Sequence, residues 1–247
     1  MQSDILALEQ MGLRAWRTLE SESYDGWTLR FAESHTRRAN SVQSLFDSSL
    51  PLDEKLAYCE AWYTERNQPC IFRVADVMFP PDLDQFLADN NYQKDAETIT
   101  KTRLLDEPLV MDKQFHYDTS LTDSWLSAWG KWEHVPDEKL ATAQKIIASQ
   151  TLPSCYGWID DVAVGLAIID GDTVGLYNIV VDENARQQGY GRALLTSLLA
   201  WAQDNGATNS YLQVLGTNQP ARALYHRMGY QPHHCYWYRK QAISSEA

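Results

Sequence analysis

The chain has 247 residues, of which 44% are hydrophobic and 11% aromatic, and this is enough to build one large packed domain or two modest ones. Its 21 basic and 33 acidic side chains give a formal net charge of −12, which argues against nonspecific binding of nucleic acid or of an anionic membrane. The first twenty residues lack the basic start of a signal peptide, and no apolar run approaches the roughly 20 residues of a spanning helix. We therefore expect a cytoplasmic globular protein without a nucleic-acid or membrane partner.

The four cysteines follow neither a CxxC pattern nor a regular spacing, so they indicate neither a zinc site nor a disulfide framework. His233, His234 and Cys235 are adjacent, but neighbours on a strand alternate between its faces and cannot all reach one ion. We expect reduced cysteines in the core and no bound metal.

In the first half, the spacing of apolar residues predicts three helices that alternate with three strands. The helices are expected at residues 4–16, 51–67 and 80–92, and the last two are opened by prolines. The strands are expected at residues 26–31, 70–77 and 97–105. In the first of these strands, Trp27, Leu29 and Phe31 alternate with polar residues, as in a half-buried strand.

The second half begins with a strand near EPLVMDKQFHYD, and two helices are expected at residues 120–132 and 136–150. Strands at residues 154–159, 161–169 and 173–181 are separated by short turns, which predicts an antiparallel meander. A long helix follows, then a strand at 209–215, a helix at 218–228 that is closed by Gly229, and a strand at 233–240.

The two halves differ in glycine content and in charge. Residues 1–115 contain only Gly12 and Gly26 of the twelve glycines. In the same residues 12 basic and 20 acidic side chains give −8, whereas 9 and 13 give −4 for the remainder. We therefore predict two domains, residues 1–111 and 112–247.

The stretch DENARQQGYGRALLTSLLAWAQ, residues 182–203, places Gly189 and Gly191 at the start of the long helix. A glycine there lowers helix stability by about 1 kcal/mol relative to alanine, so the pair needs a reason. Without a Cβ, the backbone can bring the unpaired N–H groups of the first helical turn against an anion. Arg186 and Arg192 flank the glycines, and guanidinium groups suit phosphate oxygens.

Two common phosphate motifs are excluded. A dinucleotide-binding GxGxxG needs a small residue where Leu194 stands, and a Walker loop needs Gly-Lys-Ser or Gly-Lys-Thr, which is not present. The remaining pattern is RxxGxG between a strand and a helix, and it suits a diphosphate.

With RxxGxG before the long helix and NQPARALYHRMGY after the next strand, residues 112–240 resemble the GNAT acetyltransferase superfamily. The resemblance implies an α+β fold with a mixed, mostly antiparallel sheet flanked by helices. It also implies that acetyl-coenzyme A (acetyl-CoA) binds in a cleft where two central strands splay apart. The expected activity is acetyl transfer to a primary amine, on a small molecule or a peptide, by direct attack on the thioester.

The resemblance further implies a role for each site residue. Backbone groups of Ile179, Val180 and Val181 would pair with the pantetheine arm as an added strand would. The loop residues expected to bind the diphosphate are Arg186, Gln187, Gln188, Gly189, Tyr190, Gly191 and Arg192. Asn218 would reach the cofactor from the start of the next helix. Tyr225, seven residues later on the same helical face, would protonate the departing thiolate.

The identity of the general base stays undetermined. Many relatives place a glutamate on the strand before the glycine loop, whereas TVGLYNIVV contains no carboxylate. Tyr177 and Asn178 could order a water molecule, His116 or His226 could lie nearby, or the amine could arrive neutral. The missing carboxylate keeps two other functions open, namely a noncatalytic CoA-binding or regulatory module and a nucleotide-binding module.

The first half carries a weaker version of the same pattern. QFLADNNY ends its helix as ALYHRMGY does, with Asn91 in the place of Gly229, and asparagine is the usual second choice for a left-handed cap. Aligning the final tyrosines puts Leu87 at the position of Tyr225, and no glycine loop precedes it. The first half is therefore predicted to be a degenerate GNAT-like domain in a tandem arrangement.

Overall fold

The structure is a computed structural model, and it describes residues 2–241. The helices of this part of the chain are α1 (Gln2–Ala15), α2 (Leu52–Thr64), α3 (Leu83–Asp89), α4 (Asp123–Trp132), α5 (Asp137–Ala148), α6 (Tyr190–Asp204) and α7 (Gln219–Arg227). Its strands are β1 (Glu20–Tyr24), β2 (Trp27–Phe31), β3 (Val42–Gln43), β4 (Ile71–Ala75), β5 (Tyr92–Leu104), β6 (Phe115–Asp118), β7 (Ser154–Ile159), β8 (Ala163–Asp170), β9 (Thr173–Val181), β10 (Asn209–Leu215) and β11 (Gln231–Gln241).

The predicted helices and strands are all present. The prediction missed β1 and β3. The sequence of β1, ESESY, has no apolar alternation because the strand is largely exposed, and β3 is only two residues long. The largest difference in a boundary is at β5, which begins at Tyr92 and not at residue 97.

The described chain forms two compact units that interleave along the sequence. The first unit contains the residues up to Glu9, then Thr18–Ile99 and the chain from His234; the second contains Gln10–Arg17 and Thr100–His233. β5 and β11 therefore each give residues to both units. The domain boundary expected between residues 111 and 112 stays a prediction.

In the first unit, antiparallel pairs join β1 to β2, β2 to β3 and β4 to β11, and one parallel pair joins β3 to β4. The core lies between this sheet and the helices α2 and α3. Its fully buried members include Trp27, Leu29, Phe72, Val74, Tyr63, Leu83 and Leu87. Burial of such a side chain contributes about 1.5–3 kcal/mol.

In the second unit, β6, β7, β8 and β9 pair antiparallel, which confirms the meander, and β10 pairs with β9 in parallel. The pairing of β9 with β10 ends at Leu176 and Leu212, although β9 continues to Val181 and β10 to Leu215. The two strands therefore part beyond Leu176.

Helix α6 covers one face of this sheet with a continuous apolar stripe. Its buried leucines are Leu194, Leu195, Leu198 and Leu199. A Cβ on Gly157 or on Gly165 would come within 2.9 Å of a Leu198 methyl carbon, so these two glycines let α6 lie close to the strands. The start of α6, which follows the predicted glycine loop, is fixed against the sheet by this packing.

The expected turn and cap conformations are present. Asp160 and Gly171 have φ of 40° and 65° in the meander turns, and Asn91 and Gly229 have φ of 64° and 86° after their helices. Cys59, Cys70 and Cys155 are buried free thiols, and Cys235 is half-buried and also free. Within residues 2–241, no group of three His, Cys, Asp or Glu side chains could hold a metal ion, and no helix is long and apolar enough to cross a membrane.

Candidate active site

A cleft of about 810 Å³ opens in the second unit, beside the part of β9 that has left β10. This volume lies in the range of small-molecule sites. The lining residues are Glu133, Ile179, Val180, Val181, Ala185, Arg186, Gln187, Gly189, Tyr190, Gly191, Arg192, Asn218, Pro220, Ala221, Leu224, Tyr225 and Arg227. The structure therefore brings together all the predicted site residues except Gln188.

One wall of the cleft is the open edge of β9. Ile179, Val180 and Val181 line the cleft, and they follow the last residue of β9 that pairs with β10. On the other edge, Val180 and Val181 pair with Val164 and Ala163 of β8, so the strand stays extended and fixed. Backbone groups on such an edge can bind a ligand by strand-like hydrogen bonds.

The floor of the cleft is the loop of residues 186–192, the glycine loop. Gln187 and Gly189 have left-handed φ of 63° and 93°. Within the described chain, the backbone N–H groups of residues 187–191 donate no hydrogen bond, whereas the N–H of Arg192 bonds the Gly189 carbonyl at 3.0 Å. Successive free N–H groups in such a loop, at the positive end of a helix dipole, form a concave anion site.

The two glycines differ in what the structure requires of them. A Cβ on Gly189 would meet no atom within 4 Å, so glycine is required there by its left-handed backbone. A Cβ on Gly191 would lie 3.4 Å from Leu224 Cδ2 and 3.6 Å from Val181 Cγ2, because the first turn of α6 passes close to α7 and β9. Both are ordinary van der Waals distances, so packing within the chain does not itself require glycine at this position.

The polar side chains of the loop differ in where they point. Arg186 Nη2 lies 3.7 Å from Glu183 Oε1, and its Nε donates to the Val181 carbonyl at 3.4 Å. Gln188 Nε2 donates to the Asn184 carbonyl at 3.3 Å, which explains why this side chain does not line the cleft. Arg192 is exposed and lines the cleft from the first turn of α6.

The opposite wall is α7. Asn218 caps this helix, since its Oδ1 accepts a hydrogen bond from the Ala221 N–H at 3.2 Å. The cap uses the amide oxygen and leaves the Asn218 NH₂ group as the part that could donate to a ligand. Tyr225 lies two turns further along the same face and lines the same cleft.

The Tyr225 side chain is only 8% exposed, and its ring packs edge-on against Tyr230 with centroids 6.1 Å apart. Burial raises the pKa of Tyr225 to about 12. This differs from the unperturbed value near 10 on which the expected proton transfer rests. Burial acts on thiols in the same direction, since it raises the pKa of the Cys59 thiol to about 12. Burial thus disfavours the ionised forms of phenols and thiols alike.

The sequence interpretation missed Glu133, which follows α4 and lines the cleft. Although Glu133 is an exposed residue, partial desolvation raises the pKa of its carboxyl, and the nearby His134 and Arg186 charges oppose that rise. Spacing along the chain gives no signal for this residue, because α4 and the glycine loop meet only in the folded unit. Ala221 and Leu224, by contrast, lie on the helical face already indicated by Asn218 and Tyr225.

The histidines considered as bases lie elsewhere. His116 is an exposed residue of β6 beside the Trp158 ring, and His226 is exposed on α7. Neither is among the described residues that line the cleft. Tyr177 is hydrogen-bonded to the Tyr211 hydroxyl at the point where β9 and β10 part.

A mixed, mostly antiparallel sheet flanked by helices, with a glycine loop at the head of α6 and a cleft between β9 and α7, defines a GNAT acetyltransferase. The family model described as "Probable histone acetyltransferase Rv0428c C-terminal" matches residues 2–239. The chain belongs to this family, and it is an acetyltransferase of the GNAT superfamily.

Individual relatives agree with this assignment. The chain is 28% identical over 241 residues to "Uncharacterized N-acetyltransferase YobR" of Bacillus subtilis, covering 93% of this chain and 95% of that protein. It is 28% identical over 256 residues to "Probable histone acetyltransferase Rv0428c" of Mycobacterium tuberculosis, covering 97% and 75%. A GCN5-related N-acetyltransferase from Kribbella flavida has the same fold, with a TM-score of 0.69, 12% identity, and coverage of 100% and 97%. We therefore assign acetyltransferase activity to this chain. This assignment takes the place of the noncatalytic CoA-binding module and the nucleotide-binding module that the sequence left open.

Proposed function

We propose that this protein transfers the acetyl group of acetyl-CoA to a primary amine by direct attack of the amine on the thioester, with the reaction in the cleft between β9 and α7. The observation that supports this most is the convergence of three features on one cleft. These are the open edge of β9, the free N–H groups of the glycine loop and the buried hydroxyl-bearing side chain of Tyr225. When bound, acetyl-CoA supplies an activated acyl group.

The residues of the cleft fit that molecule in two places. Ile179, Val180 and Val181 offer backbone donors and acceptors on an unpaired edge, which suits the amides of a pantetheine arm. The free N–H groups of residues 187–191, with Arg192 beside them, suit a diphosphate. The Asn218 NH₂ group adds a donor from the facing helix.

The proposed chemistry needs one acid and one stabilising donor from the chain. As the amine nitrogen bonds the carbonyl carbon, a backbone N–H near Val180 stabilises the negative charge that develops on the carbonyl oxygen. The carbon–sulfur bond then breaks, and Tyr225 gives its proton to the sulfur. Because its pKa is raised, Tyr225 carries that proton throughout the physiological pH range.

No side chain of the cleft is assigned as the base for the proton that the amine releases. Glu133 lines the cleft beside Arg186, which puts its carboxylate at the end proposed for the diphosphate and away from the acyl group. We therefore propose that the amine attacks in its neutral form and that its proton leaves to solvent.

The acceptor class follows from charge and from the names of relatives. A chain with a net charge of −12 favours cationic acceptors over anionic ones. The name of the family model refers to histones, whose lysine side chains end in primary amines. A lysine-containing peptide is therefore the first acceptor to test, followed by a polyamine, a free amino acid and a peptide with a free N-terminus.

The test is acetyl-CoA-dependent thiol release with each of these amines. The proposal predicts release that requires both an amine and acetyl-CoA, with mass spectrometry showing an acetylated amine. CoA binding with no release for any amine class would contradict it.

A further inference from the structure

Arg227 lines the cleft, but neither the sequence motifs nor the proposed chemistry gives it a role. It lies in the last turn of α7, its side chain is exposed, and it shares the cleft with the glycine loop. Within the part of the chain that the structure describes, its guanidinium group forms no hydrogen bond and no ion pair. A cation in this position is available to a negatively charged part of the ligand.

The helical geometry of α7 shows on which side of the cleft Arg227 lies. Each residue of an α-helix is rotated by roughly 100° from the one before it, so Arg227 lies roughly 60° from Leu224 and roughly 160° from Tyr225. Leu224 faces the first turn of α6, because its Cδ2 atom would lie 3.4 Å from a Cβ on Gly191. Going around α7 from Tyr225, Arg227 therefore comes after Leu224, on the side of α6 and away from the acyl end of the cleft.

The negative charges of CoA are a diphosphate and a separate phosphate on the ribose. The free N–H groups of residues 187–191, with Arg192 beside them, suit the diphosphate. Arg186 also lines the cleft, but its guanidinium group is engaged by Glu183 Oε1, at 3.7 Å, and by a backbone carbonyl. Arg227 is the cation of the cleft that lies away from the glycine loop along α7.

The path of the ligand leads from the glycine loop towards this cation. With its pantetheine arm along β9 and its diphosphate on the glycine loop, CoA has its ribose phosphate on the far side of the loop from β9. The first turn of α6 and the Leu224 side of α7 lie there. A phosphate monoester carries about −1.5 to −2 charges near neutral pH, and the planar guanidinium group can bind it through two parallel hydrogen bonds.

We propose that Arg227 binds the ribose phosphate of CoA and makes the cleft selective for CoA over dephospho-CoA, the same molecule without that phosphate. This inference rests on the proposed function for the identity of the ligand. Because Arg227 is exposed, the ion pair is partly screened by solvent, so the selectivity is moderate and depends on salt.

Two substitutions separate the charge of Arg227 from its shape. Arg227→Gln removes the charge, and Arg227→Lys keeps the charge but loses the planar group that binds phosphate through two bonds. Neither change removes a contact within the described chain, so both variants should fold as the wild type does. The matched control is Lys113→Gln, which removes one exposed positive charge from the same unit at a position that does not line the cleft.

The first readout is the ratio of the Kd of dephospho-CoA to the Kd of CoA, measured by calorimetry at pH 8 and low salt. We expect a ratio of about ten in the wild type, a fall of about fivefold in Arg227→Gln and a fall of about twofold in Arg227→Lys. Lys113→Gln should keep the wild-type ratio. An unchanged ratio in Arg227→Gln, or an equal fall in Lys113→Gln, would overturn the proposal. Equal weakening of both ligands in Arg227→Gln would place this side chain at the diphosphate and would overturn it too.

The second readout is the dependence of this ratio on salt. Raising the salt from about 0.05 M to about 0.5 M should lower the wild-type ratio several-fold and should leave the ratio of Arg227→Gln nearly constant. A wild-type ratio that salt does not change would show that uncharged groups select the phosphate. Equal binding of CoA and dephospho-CoA by the wild type would overturn the role of Arg227 alone, whereas failure of both to bind would overturn the proposed function as well.

Discussion

The β9–α7 region of the second unit and the β4–α3 region of the first unit share a local pattern and differ in what surrounds it. In both, a helix ends in a left-handed cap and a buried tyrosine follows, with Asn91 and Tyr92 in one and Gly229 and Tyr230 in the other. β4, however, pairs with β3 on one edge and β11 on the other, whereas β9 has an open edge beyond Leu176. The same helix cap is therefore present in the first unit, although β4 has no open strand edge that could bind a ligand.

The aligned helix positions Leu87 and Tyr225 show the same contrast. Leu87 is fully buried in the core of the first unit, whereas Tyr225 is 8% exposed and lines the cleft. At this position, an apolar side chain contributes packing alone, whereas a tyrosine also supplies a hydroxyl that can donate a proton. The descent of both regions from one duplicated domain stays a prediction.

The largest expected effect comes from removing that phenol. Tyr225→Phe keeps the ring packing and deletes the proton donor, so kcat should fall about 10²-fold with little change in the Kd of CoA. Steady-state kinetics and calorimetry measure the two quantities. A variant with near-normal kcat would remove Tyr225 from the proposed role.

Leu87→Ala tests the position of the first unit that corresponds to Tyr225. Truncation of this fully buried side chain should lower the free energy of unfolding by about 2–5 kcal/mol. At a temperature where the variant is folded, kcat should stay within about twofold of the wild type. A large loss of kcat in folded protein would show that this position also serves the reaction.

The next effect concerns the carboxylate beside Arg186. Glu133 lines the cleft at the end proposed for the diphosphate, where its negative charge would oppose that of the ligand. Calorimetry should therefore show that Glu133→Gln binds CoA about five- to tenfold more tightly at pH 8, while kcat stays within about twofold of the wild type. The exposed Glu138→Gln serves as control. A tenfold loss of kcat in Glu133→Gln would show that this carboxylate takes part in the chemistry.

The smallest effect lies in the first unit and concerns stability alone. His234 Nε2 lies 2.8 Å from Glu9 Oε1, and Glu9 also pairs with Arg73. Burial, together with the Arg73 charge, lowers the pKa of His234 to about 4 from its ordinary 6.5. Below pH 6.5 the unfolded chain binds a proton that the folded chain does not, so stability is lost as pH falls from 6.5 towards 4.

Denaturant unfolding at pH 7 and pH 5 measures this contribution. The loss of unfolding free energy between these pH values should be smaller by about 1–2 kcal/mol in His234→Gln than in the wild type. His116→Gln, at an exposed position on β6, should match the wild type. Equal losses in His234→Gln and the wild type would show that His234 titrates normally.

The order of most elements was predictable because each of them has a local signal. Apolar periodicity marks α6, the two meander turns lie between the strands, and Gly229 marks the end of α7. The exposed strand β1 lacks that periodicity. The exchange of segments between the two units had no local signal either, since it depends on where β5 and β11 run after they form.

The site was predictable where neighbouring residues act together and unpredictable where distant ones meet. The spacing of Asn218 and Tyr225 placed both on one helical face, and the structure puts that face on the cleft. Glu133 comes from another helix, and its position depends on how α4 packs.

The central claim is that the free N–H groups of residues 187–191 bind the diphosphate of CoA. Amide hydrogen exchange with and without saturating CoA tests it at the atoms concerned, and the amides of the Asp160 and Gly171 turns are internal references. The account predicts that exchange at residues 187–191 slows at least about tenfold on binding, because each amide gains an acceptor, while the two turns are unchanged. Unchanged exchange at residues 187–191 in CoA-saturated protein would contradict it.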